Sequence, residues 1–183
     1  MNHAGTVQLK TPRLILRRFT AQDAETMYRN WASDPEVTKY MTWPTHSSAE
    51  ISRMVLESWV QDYTRPDFYQ WAIELDGELI GSISVVHVSE NTETVEIGYC
   101  IGKSWWHQGI TSEALGAVIG FLFDVVGVNR IQARHDVNNP NSGGVMRKCG
   151  MVYEGTMRQS DRNNQGLCDS CIYGILRSEY HGK

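Results

Sequence analysis

From Val95 to Leu115 the chain reads VEIGYCIGKSWWHQGITSEAL: a short alternating strand, a polar turn ending at Gly109, and the start of a strongly apolar helix. A helix that begins directly after a turn leaves its first backbone N–H groups unbonded and aims the positive end of its dipole at the same spot. This order therefore predicts an anion cradle of the kind phosphate favours. It is not a P-loop, because Ile110 and Thr111 follow Gly109 where Lys and Ser or Thr would be needed, and no GxGxxG is present. Read without any further context, Gly109 fits a tight strand-to-helix turn with no ligand equally well.

Working outward, the period is two from Phe68 onward. FYQWAIEL, the Asp76-Gly77 turn, ELIGSISVVHVS and TETVEIGYCI predict three antiparallel strands. Thr111 to Val126 carries Ala114, Val118, Phe121, Leu122 and Val125 at helical spacing, with Leu115 and Ile119 widening the face, so this helix is predicted to be largely buried. Upstream, Leu14, Leu16 and Phe19 mark a first strand. A helix follows from Thr20-Ala21-Gln22-Asp23 to about Ser33, is broken at Asp34-Pro35, and is succeeded by a second near Ala49 to Asp62. Downstream, Arg130 to Asp136 is a strand and Asn139-Pro140 opens a helix closed by Gly150. Met151 to Met157 and Leu167 to Leu176 are the last strands.

With 183 residues, 41% hydrophobic and 21% charged, the chain is expected to form a single domain over 1–183. A formal charge of −4 sets no basic field for nucleic acid or an anionic membrane. MNHAGTVQLK lacks the apolar run of a signal peptide and no long apolar stretch follows, so a cytoplasmic setting is expected. Cys100, Cys149, Cys168 and Cys171 are too scattered for a disulfide framework and are expected to be reduced. Cys168 and Cys171 do not make half a zinc site: no second ligand pair accompanies them, and residues three apart on a strand face opposite sides. No metal is expected.

Trp106-His107-Gln108-Gly109-Ile110-Thr111-Ser112-Glu113-Ala114, after Glu96-Ile97-Gly98-Tyr99, resembles the pyrophosphate loop of the GCN5-related N-acetyltransferases, in the branch with the ribosomal-protein alanine N-acetyltransferases. His107 stands where that family usually has its first glycine. Thr11-Pro12-Arg13-Leu14-Ile15-Leu16-Arg17, Asn139-Pro140-Asn141-Ser142, Lys148-Cys149-Gly150-Met151, Glu154-Gly155 and Glu179-Tyr180 extend the resemblance over nearly the whole chain, and the element order agrees. The resemblance implies an α+β fold: a central, mostly antiparallel seven-stranded sheet, splayed between its fourth and fifth strands and flanked by about four helices.

It also implies acetyl-coenzyme A as co-substrate and direct transfer to a primary amine in a ternary complex, a protein N-terminal amine foremost. Acceptors from the small amines, amino acids or antibiotics stay open, as does a non-catalytic acyl-coenzyme A sensor or a small-molecule binding domain using the same groove. By the resemblance, main-chain amides of His107, Gln108, Gly109, Ile110, Thr111 and Ser112 hold the pyrophosphate, and backbone at Tyr99, Cys100 and Ile101 pairs with the pantetheine arm as an added strand would. An N–H near Cys100 or Ile101 is the expected oxyanion donor. No membrane or nucleic-acid partner is expected, and a homodimer is left open.

An alkyl ammonium with a pKa near ~10 must lose a proton before it attacks, and Glu96, on the strand carrying the thioester, is the candidate general base. Glu74, Glu93 and His87 are rivals on adjacent strands, and Glu96 could equally be a solvated or ion-paired strand glutamate. Many relatives use a Tyr in the helix after the fifth strand to meet the leaving thiolate. Here that position is Met146, and Ser142 is the expected substitute, giving a hydrogen bond rather than a full proton. Asn139 is expected to cap its helix, with contact to pantetheine as the alternative, and Lys148 either reaches phosphate or sits in solvent. Trp31, Tyr40, Trp43 and Trp59, with Arg158, Asp161 and Arg162, belong to the two regions that flank the family's acceptor cleft. The aromatics either line a pocket or fill a core.

Overall fold

The computed structural model describes residues 1–182. In chain order its strands are β1 (Leu9–Lys10), β2 (Leu14–Arg17), β3 (Gln70–Leu75), β4 (Glu78–Ser89), β5 (Thr94–Ile101), β6 (Arg130–Asp136), β7 (Val152–Asn163) and β8 (Gly166–Leu176). The α-helices are α1 (Ala24–Met27), α2 (Pro35–Thr38), α3 (Ala49–Asp62), α4 (Ile110–Phe121) and α5 (Pro140–Lys148). All strands form one sheet in the order β1-β2-β3-β4-β5-β6-β8-β7. The expected seven strands become eight because Leu9–Lys10 adds a short edge strand, so the expected fourth and fifth are β5 and β6.

Asp76 and Gly77 have φ of 51° and 82°, the pair of left-handed residues that a two-residue hairpin turn requires between β3 and β4. The N-terminal helix is less regular than its periodicity suggests. It runs through a 3-10 turn (Ala21–Asp23), α1 and a π segment (Tyr28–Ala32). Asp34 then both ends it and starts α2, its side chain accepting from Glu36 N–H at 2.8 Å with Pro35 in the first turn.

β5 and β6 are parallel and paired at only three positions, Thr94 with Arg130, Val95 with Ile131 and Glu96 with Gln132. Every other neighbouring pair among the described residues is antiparallel. Past Glu96, β5 continues to Ile101 still paired with β4, while β6 continues to Asp136 paired with β8. The sheet therefore forks. Two cores flank the fork: α4 buries Leu115, Val118 and Ile119 with Ile97 and Ile131 on one face, and on the other Trp31, Met27 and Leu56 pack with Ala72 and Cys100. Alternation along β5 thus sends Ile97 and Tyr99 to the α4 face, and Glu96 and Cys100 to the α1 and α3 face. No described helix is long and apolar enough to cross a membrane.

Candidate active site

Gly109 is the residue that starts α4, with φ of 74°. The first α4 amide with a protein acceptor is that of Glu113, which donates to Gly109 O at 3.1 Å, and among the described residues the amides of His107 to Ser112 have none. Those donors lie at the positive end of a twelve-residue helix. His107 has φ of 61°, a left-handed backbone that favours glycine.

Side chains tie the loop in place. Trp106 Nε1 donates to Ile101 O at 2.9 Å, locking the turn to the end of β5. Thr11 Oγ1 and Arg13 Nε each donate to Glu113 at 2.6 Å, and Arg13 Nη1 donates to Gln108 O at 3.0 Å. Burial opposes the Glu113 charge, but the hydrogen bonds from Thr11 and Arg13 outweigh it and hold its pKa below the ordinary carboxylate value. A Cβ on Gly109 would lie 3.5 Å from Lys148 Nζ and 3.7 Å from an Arg13 nitrogen, so two cations stand beside the unbonded amides. Lys148, left open between phosphate and solvent by its sequence, is at the loop.

The fork opens into a cavity of about 600 Å³ whose wall includes Tyr99, Ser142 and Met146 from the α4 and α5 face and Glu96, Trp31 and Trp43 from the opposite one. It passes between β5 and β6, through the plane of the sheet. Gly102 N–H donates to Ile80 O, so by alternation the peptide groups of Cys100 also face β4. The expected contact through Cys100 backbone is therefore corrected: Tyr99 N–H and C=O and Ile101 N–H are the groups turned toward the gap. The Cys100 side chain is buried on the α1 and α3 face, and desolvation pushes its thiol up to about 12.

Glu96 lines the cavity with only 6% of its surface exposed. It is ion-paired rather than solvated: Arg134 Nε donates to Oε1 at 2.7 Å and Gln132 Nε2 to Oε2 at 2.9 Å. Of its expected rivals, His87 sits opposite it on β4 and lines the cavity. Glu74 is spent on Arg17 on the far side of β3, and Glu93 ends the turn before β5 at φ 48°.

Met146 is 1% exposed and brings no proton. Ser142 Oγ lies 3.0 Å from Tyr99 Oη, which also donates to Ser142 O at 3.0 Å. The Tyr99 side chain, which the sequence reading overlooked, thus joins Ser142 in a hydroxyl pair at the fork. Burial pushes its phenol well above the ordinary value, so it stays neutral. The Asn139 side chain makes no cap, correcting that expectation. The backbone supplies the turn instead, Ser142 N–H donating to Asn139 O, and the amide side chain lines the cavity. Trp31, Tyr40, Trp43 and Trp59 all reach the cavity wall, and Trp31 serves the core as well. Asp161 lines it too, whereas Arg158 and Arg162 point elsewhere. Arg134, Tyr99 and His46 are cavity residues without a sequence signal, because their partners are remote in the chain. His46 is buried against Ser52 Oγ at 2.7 Å, and desolvation lowers its pKa, keeping the ring neutral.

Comparison with known proteins agrees with this geometry. A family model described as an acetyltransferase (GNAT) domain matches residues 13–152. The chain is 32% identical over 171 residues to the uncharacterized N-acetyltransferase YoaA of Bacillus subtilis (strain 168), covering 92% of this chain and 96% of YoaA. It is 31% identical over 137 residues to the ribosomal-protein-serine acetyltransferase of Escherichia coli (strain K12), covering 74% and 76% of the two. A solved acetyltransferase of the GNAT family from Bacillus anthracis superposes with a TM-score of 0.82 at 27% identity, over 94% of this chain and all of that one.

Proposed function

The chain belongs to the GNAT acetyltransferase family, and from that premise we propose that residues 1–183 act as one domain that moves an acetyl group from acetyl-coenzyme A to a primary amine, a protein N-terminus foremost. The observation that carries this reading is the junction of two features: unbonded amides from His107 to Ser112, beside Lys148 and Arg13, and a forked sheet with free peptide groups at Tyr99 and Ile101. Pyrophosphate fits the first and the amides of pantetheine the second. That the relative from Escherichia coli acts on ribosomal-protein serine supports a protein acceptor.

The chemistry follows from the placement. An N-terminal ammonium with a pKa near ~8 enters the aromatic side of the cavity and loses a proton to Glu96, directly or through a water. The amine nitrogen attacks the thioester carbonyl carbon, forming the C–N bond. The oxygen that gains charge is met by Ile101 or Tyr99 N–H. Collapse breaks the C–S bond, and the second nitrogen proton passes to the thiolate beside the Ser142 and Tyr99 hydroxyls. The products are the amide, free coenzyme A and one proton released from Glu96. Cys100 has no part in this, since a buried thiol at about 12 is not a nucleophile at neutral pH.

A screen of amines and N-terminal peptides read by free thiol tests the proposal. Thiol release should require the amine, and E96Q should lower kcat by about 10²- to 10⁴-fold while coenzyme binding persists. Full rate in E96Q removes Glu96 as base. Tight coenzyme binding without thiol release under any amine makes the protein a sensor instead.

A further inference from the structure

A buried carboxylate that takes protons in a cycle must be kept charged between turnovers and must hold a lone pair toward the substrate. Glu96 is almost fully buried. One cation bonds it. Arg134 comes from the neighbouring strand two residues beyond the last β5–β6 pair, where the strands have already begun to part, and its Nε meets Oε1 at 2.7 Å. The same Nε lies 3.6 Å from Asp161 Oδ2 on β7. Gln132 holds the other oxygen. A carboxylate has about four acceptor positions, so one donor on each oxygen leaves a lone pair on each.

We propose that Arg134 is a positioning residue: from across the fork it pairs its charge with the Glu96 carboxylate and fixes the carboxylate plane so that the unused lone pairs face the acceptor amine. This rests on the reading of Glu96 as base. Besides Arg134, the other titratable groups that share the cavity with Glu96 are Tyr40 after α2, His46 before α3, His87 on β4, Tyr99 and Cys100 on β5, His135 and Asp136 on β6, Asp161 on β7 and Cys168 on β8. None of them hydrogen-bonds Glu96 among the described residues, so Arg134 is the charged group bonded to it. Asp136 is satisfied by Asn138 and Asn163. Gln132 contributes direction without charge, and Arg134 contributes both.

The test is the pH dependence of kcat at saturating acetyl-coenzyme A and saturating N-terminal peptide, for wild type, R134Q, R134K and E96Q. kcat reports groups in the bound complex, and the amine's own ionisation is common to all four proteins. In R134Q the acid limb should move to higher pH by about 1–3 units, the span expected when an adjacent opposite charge is withdrawn. In R134K the limb should stay near the wild-type position with a lower plateau, because the charge returns but the planar donor geometry does not. E96Q should lack the limb. If E96Q loses activity while R134Q keeps the wild-type limb, Arg134 has no such role and the base reading stands. If E96Q keeps the wild-type rate and limb, the base reading fails and the role of Arg134 fails with it. Should R134Q not fold, R134K still decides: a limb displaced as far as about 1–3 units despite the retained charge overturns the proposal.

Discussion

At the residue scale, His107 puts a side chain on a backbone geometry that suits glycine. Its φ of 61° is costly for any side chain with a Cβ, by about 1–2 kcal/mol. Glycine removes that strain at an entropy cost of about 0.5–1 kcal/mol. H107G should therefore stabilise the protein by roughly 0.5–1 kcal/mol, seen as a higher urea midpoint at unchanged m-value. A lower midpoint would mean that the His107 ring contributes contacts worth more than the strain. Glu96 teaches a related lesson: its residue type and strand were readable, but its two bonds to Gln132 and Arg134 come from a strand more than thirty positions away. Nothing local to VEIGYCI announces that partnership.

At the scale of elements, the start of α4 depends on a segment a hundred residues upstream. Thr11 and Arg13 bind Glu113 in its first turn, which ties the TPR stretch to the TSEA stretch. The acidic residue also suits the positive helix end. Because the folded pKa of Glu113 is depressed, its contribution is present above the unfolded Glu value near ~4.3 and fades as pH falls through the lower folded value. E113Q should cost about 1 kcal/mol at pH 7, and the gap between it and wild type should close in acid below the unfolded value, as read by urea melts across pH. A gap that stays constant with pH would show that the bonds matter only through shape. By the same clamp the turn at Gly109 is held in place by the chain's own side chains.

Across the whole molecule, the tip of the β7–β8 hairpin joins the N-terminal third. Asn164 N–H donates to Met41 O at 3.2 Å, and its side-chain amide donates to Thr38 O at 2.8 Å and Trp43 O at 2.9 Å. The two walls that carry Trp43 and Asp161 are thereby tied together over the cavity. N164A should speed amide exchange through residues 38–43 and raise KM for the acceptor several-fold, while the α4 core keeps its protection. Unchanged exchange there would show that the walls are held by packing alone. The main strands and helices, the hairpin turn, the buried helix and the strand-turn-helix order at Gly109 were legible in the sequence, since each follows from short-range periodicity, turn chemistry or a helix end. The length over which β5 and β6 pair, the assignment of Tyr99 and Ile101 rather than Cys100 to the gap, the Tyr99–Ser142 pair and the Arg134–Glu96 bond were decided only by tertiary structure. Register between distant strands is set by how two cores on opposite faces of the sheet pack at once, and no local pattern encodes that sum.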